Sequence, residues 1–239
     1  MKLGVITDIH NNLAALTAVL AVFEKEQCEK IICCGDIIGI GPYPEETVTV
    51  MRNLPNLAGC VRGNHENFLL VGMPSVFPND KMMEQGEYEH HKWEHARLSE
   101  PSRKFLSGLP FEQYVELEGK RIYIAHYSMD ADHQYVNYTP NPTASDLERM
   151  FPEIEADVIL YGHDHAANVV KEDKWYINCG AAGCPGREKN TARAGILKLD
   201  GEIAFEPVCI TYDVSKTIED IDRFNYPDKD NIKKYFYGL

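Results

Sequence analysis

The chain has 239 residues, 44% of them hydrophobic and 26% charged, which is an ordinary balance for a globular protein. Its formal net charge of −13 argues against a general nucleic-acid binder, because an acidic surface repels the phosphate backbone. Composition excludes a disordered or collagen-like chain, and no apolar run approaches the roughly 18 residues that span a bilayer. The apolar N-terminal stretch is also too short for a signal peptide, so we expect a cytoplasmic protein with no membrane partner.

The first quarter of the chain alternates between short apolar strands and amphipathic helices. Leucines recur at helical spacing from Leu13 to Leu20, which predicts a helix over residues 11–25. We predict strands at 2–7, 30–34 and 57–61, with a second helix at 47–53. This β-α-β-α-β order is typical of a mainly parallel sheet covered by helices.

The rest of the chain combines a helical insertion with hairpins. Residues 68–110 hold few strand signals and a charged run around Trp93, which predicts a helical cap insertion. We predict hairpins at 111–117 with 121–125, at 169–171 with 175–178, and at 192–199 with 202–210, and a buried strand at 157–160. Residues 213–239 have the pattern of a C-terminal helical tail broken at Pro227. We therefore expect one α/β domain over 1–239.

Five short polar segments each follow an apolar strand, and sites in open α/β sheets form outside the carboxyl ends of strands. The segments are D-I-H at 8–10, G-D at 35–36, G-N-H-E at 63–66, His126, and G-H-D-H at 162–165. They offer carboxylates, an amide and imidazoles but no thiolate, a set that suits transition metals. The seven candidate ligands, too many for one ion and suited to two, are Asp8, His10, Asp36, Asn64, His126, His163 and His165.

In this order the segments resemble the calcineurin-like metallophosphoesterase superfamily, in particular its small bacterial phosphodiesterases and dinucleoside-polyphosphate hydrolases. The resemblance spans residues 8–165 and extends through 177–187. It implies a four-layer αββα sandwich with a helical cap. The site residues that it implies are Asp8, His10 and His165 on a first metal, Asn64, His126 and His163 on a second, Asp36 as the bridge, and His65 as the catalytic histidine beside the substrate phosphate.

Physical chemistry supports such an arrangement. Two ions about 3.5–4 Å apart need a bridging anion, and a hydroxide between them is available as a nucleophile near neutral pH. The ions would be two divalent transition metals (Mn, Fe, Zn, Ni or Co), with Mn expected to support activity best. A cationic His65 would protonate the leaving oxygen.

The expected function is therefore metal-dependent hydrolysis of a phosphodiester or a nucleotide polyphosphate. A phosphomonoesterase, including a protein phosphatase, is the alternative, followed by a non-catalytic scaffold on the same fold. The expected partner is a phosphate-ester small molecule, with a nucleotide as one candidate, and not stable nucleic acid. The sequence leaves a homo-oligomer open. Arg62 and Arg187 are candidates to clamp the substrate, with ordinary surface salt bridges as the alternative.

Several other residues are interpreted as structural. Glu66 is expected to be a helix N-terminal carboxylate. Tyr88, Trp93 and Phe77 are expected to pack inward. The histidines expected on solvated surfaces are His90, His91, His95 and His133.

The sequence departs from the family pattern at two places, and both are expected to shape the substrate-binding site. They are Tyr127, after His126, and the segment N-C-G-A at 178–181. The thiols of Cys179 and Cys184 are expected to be unpaired. Cys33 and Cys34 lie in an apolar run and are expected to be buried and free.

Overall fold

The computed structural model describes residues 1–73, 83–130, 134–136, 138–184 and 190–239. The strands of this part of the chain are β1 (Lys2–Ile6), β2 (Lys30–Cys33), β3 (Leu57–Cys60), β4 (Glu112–Leu117), β5 (Lys120–Ala125), β6 (Val158–Tyr161), β7 (Asn168–Lys171), β8 (Trp175–Asn178), β9 (Thr191–Asp200) and β10 (Glu202–Thr211). The helices are α1 (Leu13–Lys25), α2 (Pro44–Arg52), α3 (Asn64–Val71), α4 (Gln85–His95), α5 (Glu100–Ser107), α6 (Ala144–Met150), α7 (Ser215–Arg223) and α8 (Lys229–Phe236).

The strands form two five-stranded sheets. The first has the order β10–β9–β1–β2–β3 and the second the order β4–β5–β6–β8–β7. The strands β1, β2 and β3 run parallel, as do β5, β6 and β8. The remaining strands pair antiparallel at the edges. Parallel strands end at one edge of a sheet, so each sheet presents a row of loops at its carboxyl edge.

Alternate residues of the central strands enter different cores, as the two-residue period of a strand requires. Leu3 of β1 lies between the sheets with Ile124 of β5 and Leu160 of β6. Ile31 and its neighbours on the opposite face pack against α1 and α2. Helix α6 covers the outer face of the second sheet. The layers are therefore helix, sheet, sheet and helix, and the predicted four-layer α/β fold is confirmed.

The predicted hairpins and the parallel opening are confirmed, with differences at the ends of elements. Helix α2 begins at Pro44, before the predicted start at residue 47, because proline is favoured in the first helical turn. Helix α6 was not predicted. Its N-cap is Thr143, which forms a capping box with Asp146, and that short sequence signature would have located it.

The C-terminal tail breaks at Pro227 between α7 and α8, as predicted. The rings of Tyr226 and Tyr237 are buried in a further apolar cluster with Ile40 and Cys184. The tail therefore covers part of the core with its aromatic side chains. None of the described helices combines the length and the apolar character needed to cross a membrane.

Candidate metal centre and cavity

The seven candidate ligands all lie just beyond the carboxyl ends of strands, and the structure brings them together from both sheets. In chain order they are Asp8 and His10 after β1, Asp36 after β2, Asn64 after β3, His126 after β5, and His163 and His165 after β6.

Asp8, His10 and His165 form the first of two groups. The Nε2 atoms of His10 and His165 are 2.9 Å apart. The Oδ1 atom of Asp8 lies 3.7 Å from the first and 3.6 Å from the second. Bonds of about 2.0–2.2 Å to a tetrahedral ion place donor atoms roughly 3.3–3.6 Å apart. The three donor atoms therefore surround a point that a transition-metal ion can occupy.

Asn64, His126 and His163 form the second group. The Oδ1 atom of Asn64 lies 3.2 Å from Nε2 of His126 and 2.9 Å from Nδ1 of His163. The two ring nitrogens are 3.3 Å apart. The Oδ2 atom of Asp36 is 3.1 Å from Nε2 of His126 and 3.9 Å from Nε2 of His10. The carboxylate of Asp36 thus stands between the two groups.

Hydrogen bonds behind the rings fix which nitrogen faces the groups. The Nδ1 atom of His126 lies 2.8 Å from the carbonyl oxygen of Cys34, and Nδ1 of His10 lies 3.3 Å from that of Ile38. A carbonyl only accepts, so each Nδ1 donates and each Nε2 is left to face inward. Such outer hydrogen bonds are typical of metal-binding histidines. The residues present therefore fit a pair of divalent ions.

Opposite charges dominate the electrostatics of the centre. Burial opposes charge on Asp36, but His126 outweighs it, and the pKa of Asp36 lies well below its ordinary value. Burial likewise opposes charge on His126, yet Asp36 raises the pKa of His126 to about 10. In the metal-free protein at neutral pH, Asp36 is therefore charged and His126 holds a proton that a metal ion must displace.

His65 stands beside the two groups, where its predicted catalytic role requires it. Its Nε2 atom is 3.7 Å from Oδ2 of Asp36, and its backbone N–H donates to Oδ1 of the same residue. Burial lowers the pKa of His65 well below its ordinary value although Asp36 is near, so the ring is neutral at pH 7. Gly39 has φ +127°, and a Cβ there would lie 2.6 Å from Nδ1 of His65, so only glycine allows this close approach.

Glu66 has the structural role that the sequence predicted. The side chain lies in the first turn of α3 and is fully buried. Its two oxygens accept the backbone N–H groups of Gly63, Asp36, Ile37 and Ile38 at 2.7–3.0 Å. It therefore ties the loop after β2 to the start of α3, which fixes the backbone of Asp36.

A cavity of about 440 Å³ opens beside His65 and His165. Its walls come from the start of α4 and from α8, and they combine carboxylates with aromatic rings. The other lining residues are Ile40, Glu84, Glu87, His90, Asp228, Asn231, Ile232, Tyr235 and Phe236. Sequence reasoning did not assign the cavity walls to the site, because only folding brings α4 and α8 together.

The interpretation of His90 and His91 as surface residues is wrong. They are 3% and 0% exposed. The ring centroid of His91 lies 4.9 Å from that of His65, and the ring of His90 stacks at 5.9 Å on Tyr226. The charged sequence of α4 suggested a solvated helix, but α3 and the tail cover it. His95, also expected on the surface, is partly buried, and its Nε2 atom is fully enclosed.

The expectation that Tyr127 and the segment 178–181 contour the substrate is also wrong. Tyr127 is fully buried, its ring lies 4.7 Å from that of His163, and its hydroxyl accepts the N–H of Thr139. Asn178 is buried as well and donates to the carbonyl oxygen of Gly162 and to Asp164. Both departures from the family pattern therefore support the loop of His163 and His165 from behind.

Of the two candidate arginines, Arg62 is not among the described residues that line the cavity. Arg62 donates from Nε to the carbonyl oxygen of Leu109 at 2.7 Å, and its guanidinium lies 4.6 Å from the ring centroid of Phe111. Arg187 lies outside the described residues, as do Phe77 and His133. Substrate binding by Arg62 or Arg187 stays a prediction.

The predicted inward packing of Trp93 is confirmed, whereas Tyr88 is only partly buried. Trp93 packs edge-on against Tyr226, with ring centroids 5.0 Å apart. The thiols of Cys179 and Cys184 are buried and free, as are those of Cys33 and Cys34.

Comparison with known proteins gives a family match over most of the chain. Residues 1–202 match the calcineurin-like phosphoesterase superfamily domain. The chain is 29% identical to an uncharacterized protein of Methanocaldococcus jannaschii, over 95% of this chain and 94% of that protein.

Two solved structures are similar over their whole length. A hypothetical protein of Pyrococcus horikoshii OT3 has a TM-score of 0.84 at 20% identity, covering 100% of this chain and 98% of that chain. A metallophosphoesterase from Sphaerobacter thermophilus has a TM-score of 0.76 at 24% identity, with 100% and 99% covered. At these identities the likeness shows the fold alone.

Proposed function

The chain belongs to the calcineurin-like phosphoesterase superfamily, and on that premise we propose that it hydrolyses a phosphate ester with two divalent ions. The observation that carries the proposal is the position of Asp36. Its Oδ2 atom lies 3.1 Å from a ring nitrogen of the second group and 3.9 Å from one of the first. When bound, the ion pair would supply Lewis acidity toward the phosphoryl oxygens and a hydroxide nucleophile near neutral pH.

The protein's own residues would hold and orient this chemistry. Asp8, His10 and His165 would bind one ion, and Asn64, His126 and His163 the other, with Asp36 shared. Two divalent ions outweigh the two aspartates by about two positive charges, so the centre attracts a phosphoryl group despite the acidic surface.

His65 would act on the phosphate from the side of Asp36. It lines the cavity and is 7% exposed, so a substrate can reach its ring. Because its ring is neutral, its first role is to donate a hydrogen bond to a phosphoryl oxygen as charge develops there. The charge of a bound phosphate raises the pKa of a neighbouring imidazole, which favours proton transfer to the leaving oxygen.

The cavity supports a phosphodiester as the substrate. Its volume accommodates a small-molecule substituent beyond the phosphate. Three carboxylates, those of Glu84, Glu87 and Asp228, lie in its wall. A diester brings one negative charge, whereas a nucleotide polyphosphate brings several that these carboxylates would repel. We therefore place the uncharged or cationic part of a diester in the cavity.

A substrate panel tests the proposal. Metal-stripped protein is reloaded with Mn²⁺ and assayed on bis-p-nitrophenyl phosphate, p-nitrophenyl phosphate, ATP and diadenosine tetraphosphate. We expect the diester to be cleaved fastest. Faster cleavage of p-nitrophenyl phosphate would make the protein a phosphomonoesterase, and faster cleavage of the nucleotides would overturn the charge argument. Silence on all four substrates would contradict the proposed hydrolysis and favour a scaffold.

A further inference from the structure

Helix α4 carries a second buried group of titratable side chains, separate from the seven ligands. His90, His91 and Glu94 each offer a donor atom, and these atoms all lie within 4.8 Å of one another. The three side chains are 3%, 0% and 0% exposed. Glu94 follows His90 by four residues and His91 by three, so it is a neighbour of both on the helix surface.

Within the part of the chain that the structure describes, most polar atoms of this group have no hydrogen-bond partner. Both ring nitrogens of His90, both of His91 and Oε2 of Glu94 are buried without a hydrogen bond to a described residue. Buried polar groups in proteins are almost always satisfied, so a cluster of unsatisfied atoms needs an explanation.

An ion pair within the group does not supply that explanation. The Nδ1 atom of His91 lies 3.8 Å from Oε2 of Glu94, which is beyond hydrogen-bonding range. A protonated His91 would be attracted to Glu94, yet both nitrogens of His90 would still lack a partner. A cation placed among the three residues would engage a nitrogen of His90, Nδ1 of His91 and Oε2 of Glu94 together.

The outer contacts of the group are those that metal sites commonly have. The Nε2 atom of His91 faces Oε1 of Glu87 at 3.8 Å, and the hydroxyl of Tyr226 donates to Oε1 of Glu94. A ligating histidine usually directs its second nitrogen at a carboxylate, and a ligating carboxylate is usually hydrogen-bonded itself. Glu87 and Tyr226 therefore orient the two donors whose other atoms face the centre of the group.

We propose that His90, His91 and Glu94 bind a third divalent cation of the zinc type. Two imidazoles and one carboxylate form a ligand set that Zn²⁺ takes in proteins, with a fourth position left for water or a substrate oxygen. His90 also lines the cavity, so the three donor atoms lie directly behind the cavity wall.

The position of the ion gives it two consequences. The ring centroid of His91 is 4.9 Å from that of His65. An ion bound to His91 would therefore add positive charge close to the proposed catalytic histidine. Through Glu94 and Tyr226 it would also fasten α4 to the C-terminal tail, and these two segments form the cavity walls. Binding by α4 does not depend on phosphoester hydrolysis, so it is tested separately from the proposed function.

The test counts zinc ions per chain. Metal-stripped full-length protein is loaded with excess Zn²⁺, freed of unbound metal by gel filtration and analysed by mass spectrometry of the elements. We expect His90→Gln to lower the count by one ion in the otherwise wild-type protein. We expect the same decrease when His90→Gln is added to Asp36→Ala. This double variant separates the ion proposed at α4 from the two ions proposed at the carboxyl ends of the strands. His95→Gln on the same helix is the matched control and leaves the count unchanged.

A second variant and a second measurement keep the result decisive. Glu94→Gln lowers the count by one ion as well, and it replaces His90→Gln if that variant does not fold. Anomalous diffraction at the zinc edge from zinc-loaded crystals is expected to give a peak between His90, His91 and Glu94. Equal zinc counts in the wild type and in a folded His90→Gln or Glu94→Gln variant, or no anomalous peak at this position, would overturn the proposal.

Discussion

Five of the seven proposed ligands adopt a left-handed backbone conformation. The φ angles of Asp8, His10, Asp36, His163 and His165 lie between 49° and 77°. Residues other than glycine cost about 1–3 kcal/mol each in such strained conformations. Aspartate and histidine tolerate this region better than most residue types, so the sequence is compatible with these angles. Hydrophobic periodicity carries no information on single φ angles, so the sequence could point to the candidate ligands but not to this strain.

The catalytic role proposed for His65 leads to a prediction about a single residue. We expect His65→Ala to keep both ions at the strand ends, because this ring belongs to neither group of ligands. Its turnover should fall by about tenfold to a hundredfold, since the hydrogen-bond donor and proton source are lost. Turnover and metal content are measured on the same sample, with His95→Ala as the control for removing an imidazole outside the centre. Full turnover in metal-loaded His65→Ala would show that His65 has no part in the reaction.

The high pKa of His126 predicts that metal binding depends on pH. Asp36 raises this pKa to about 10, so the ring is protonated at neutral pH and must lose its proton when Nε2 binds an ion. Below pH 10 the apparent affinity should therefore increase with pH, by about tenfold per pH unit for each proton released. Competition with a chelating dye from pH 6 to pH 8 measures this slope. An affinity that does not change over this range would contradict the assignment of His126 as a ligand.

At the scale of elements, Glu66 links α3 to the loop after β2. We expect Glu66→Gln to lower the free energy of unfolding by about 3 kcal/mol. The two carboxylate oxygens of Glu66 accept four backbone N–H groups, whereas the amide of glutamine has only one acceptor oxygen. Metal affinity should fall as well, since the backbone of Asp36 loses its anchor. Urea denaturation measures the first effect. Glu100→Gln, in the first turn of α5 and exposed, is the control and should change stability by less than about 0.5 kcal/mol. Equal stabilities of the two variants would refute this role of Glu66.

The elements also show how far sequence reasoning reaches. The parallel strands could be predicted because each contains a short apolar run, and the candidate ligands could be located because they follow such runs directly. Helix α4 could be predicted as a helix, but not its buried face. Contact with Tyr226, which is far away in the chain, determines that His90 is buried, and no local pattern reports such a contact.

At the scale of the whole molecule, the net charge of −13 and an anionic substrate are compatible because the charge is distributed unevenly. The proposed ions would make the strand ends positive, whereas the cavity wall keeps its carboxylates. The sequence pointed to the chemistry of the strand ends. It could not show the cavity, because the cavity walls come from α4 and α8. In the sequence, α4 precedes and α8 follows the strands of the second sheet.

The central claim is that Asp36 joins two metal-binding groups into one hydrolytic centre. The most direct test is the rate per chain of wild type and Asp36→Ala, both reloaded with Mn²⁺, on whichever panel substrate the wild type cleaves fastest. Asp200→Ala, at the exposed C-terminal end of β9, is the matched control. We expect a loss of at least about a hundredfold in Asp36→Ala and none in the control. An Asp36→Ala protein that hydrolyses the substrate as fast as the wild type would contradict the central claim.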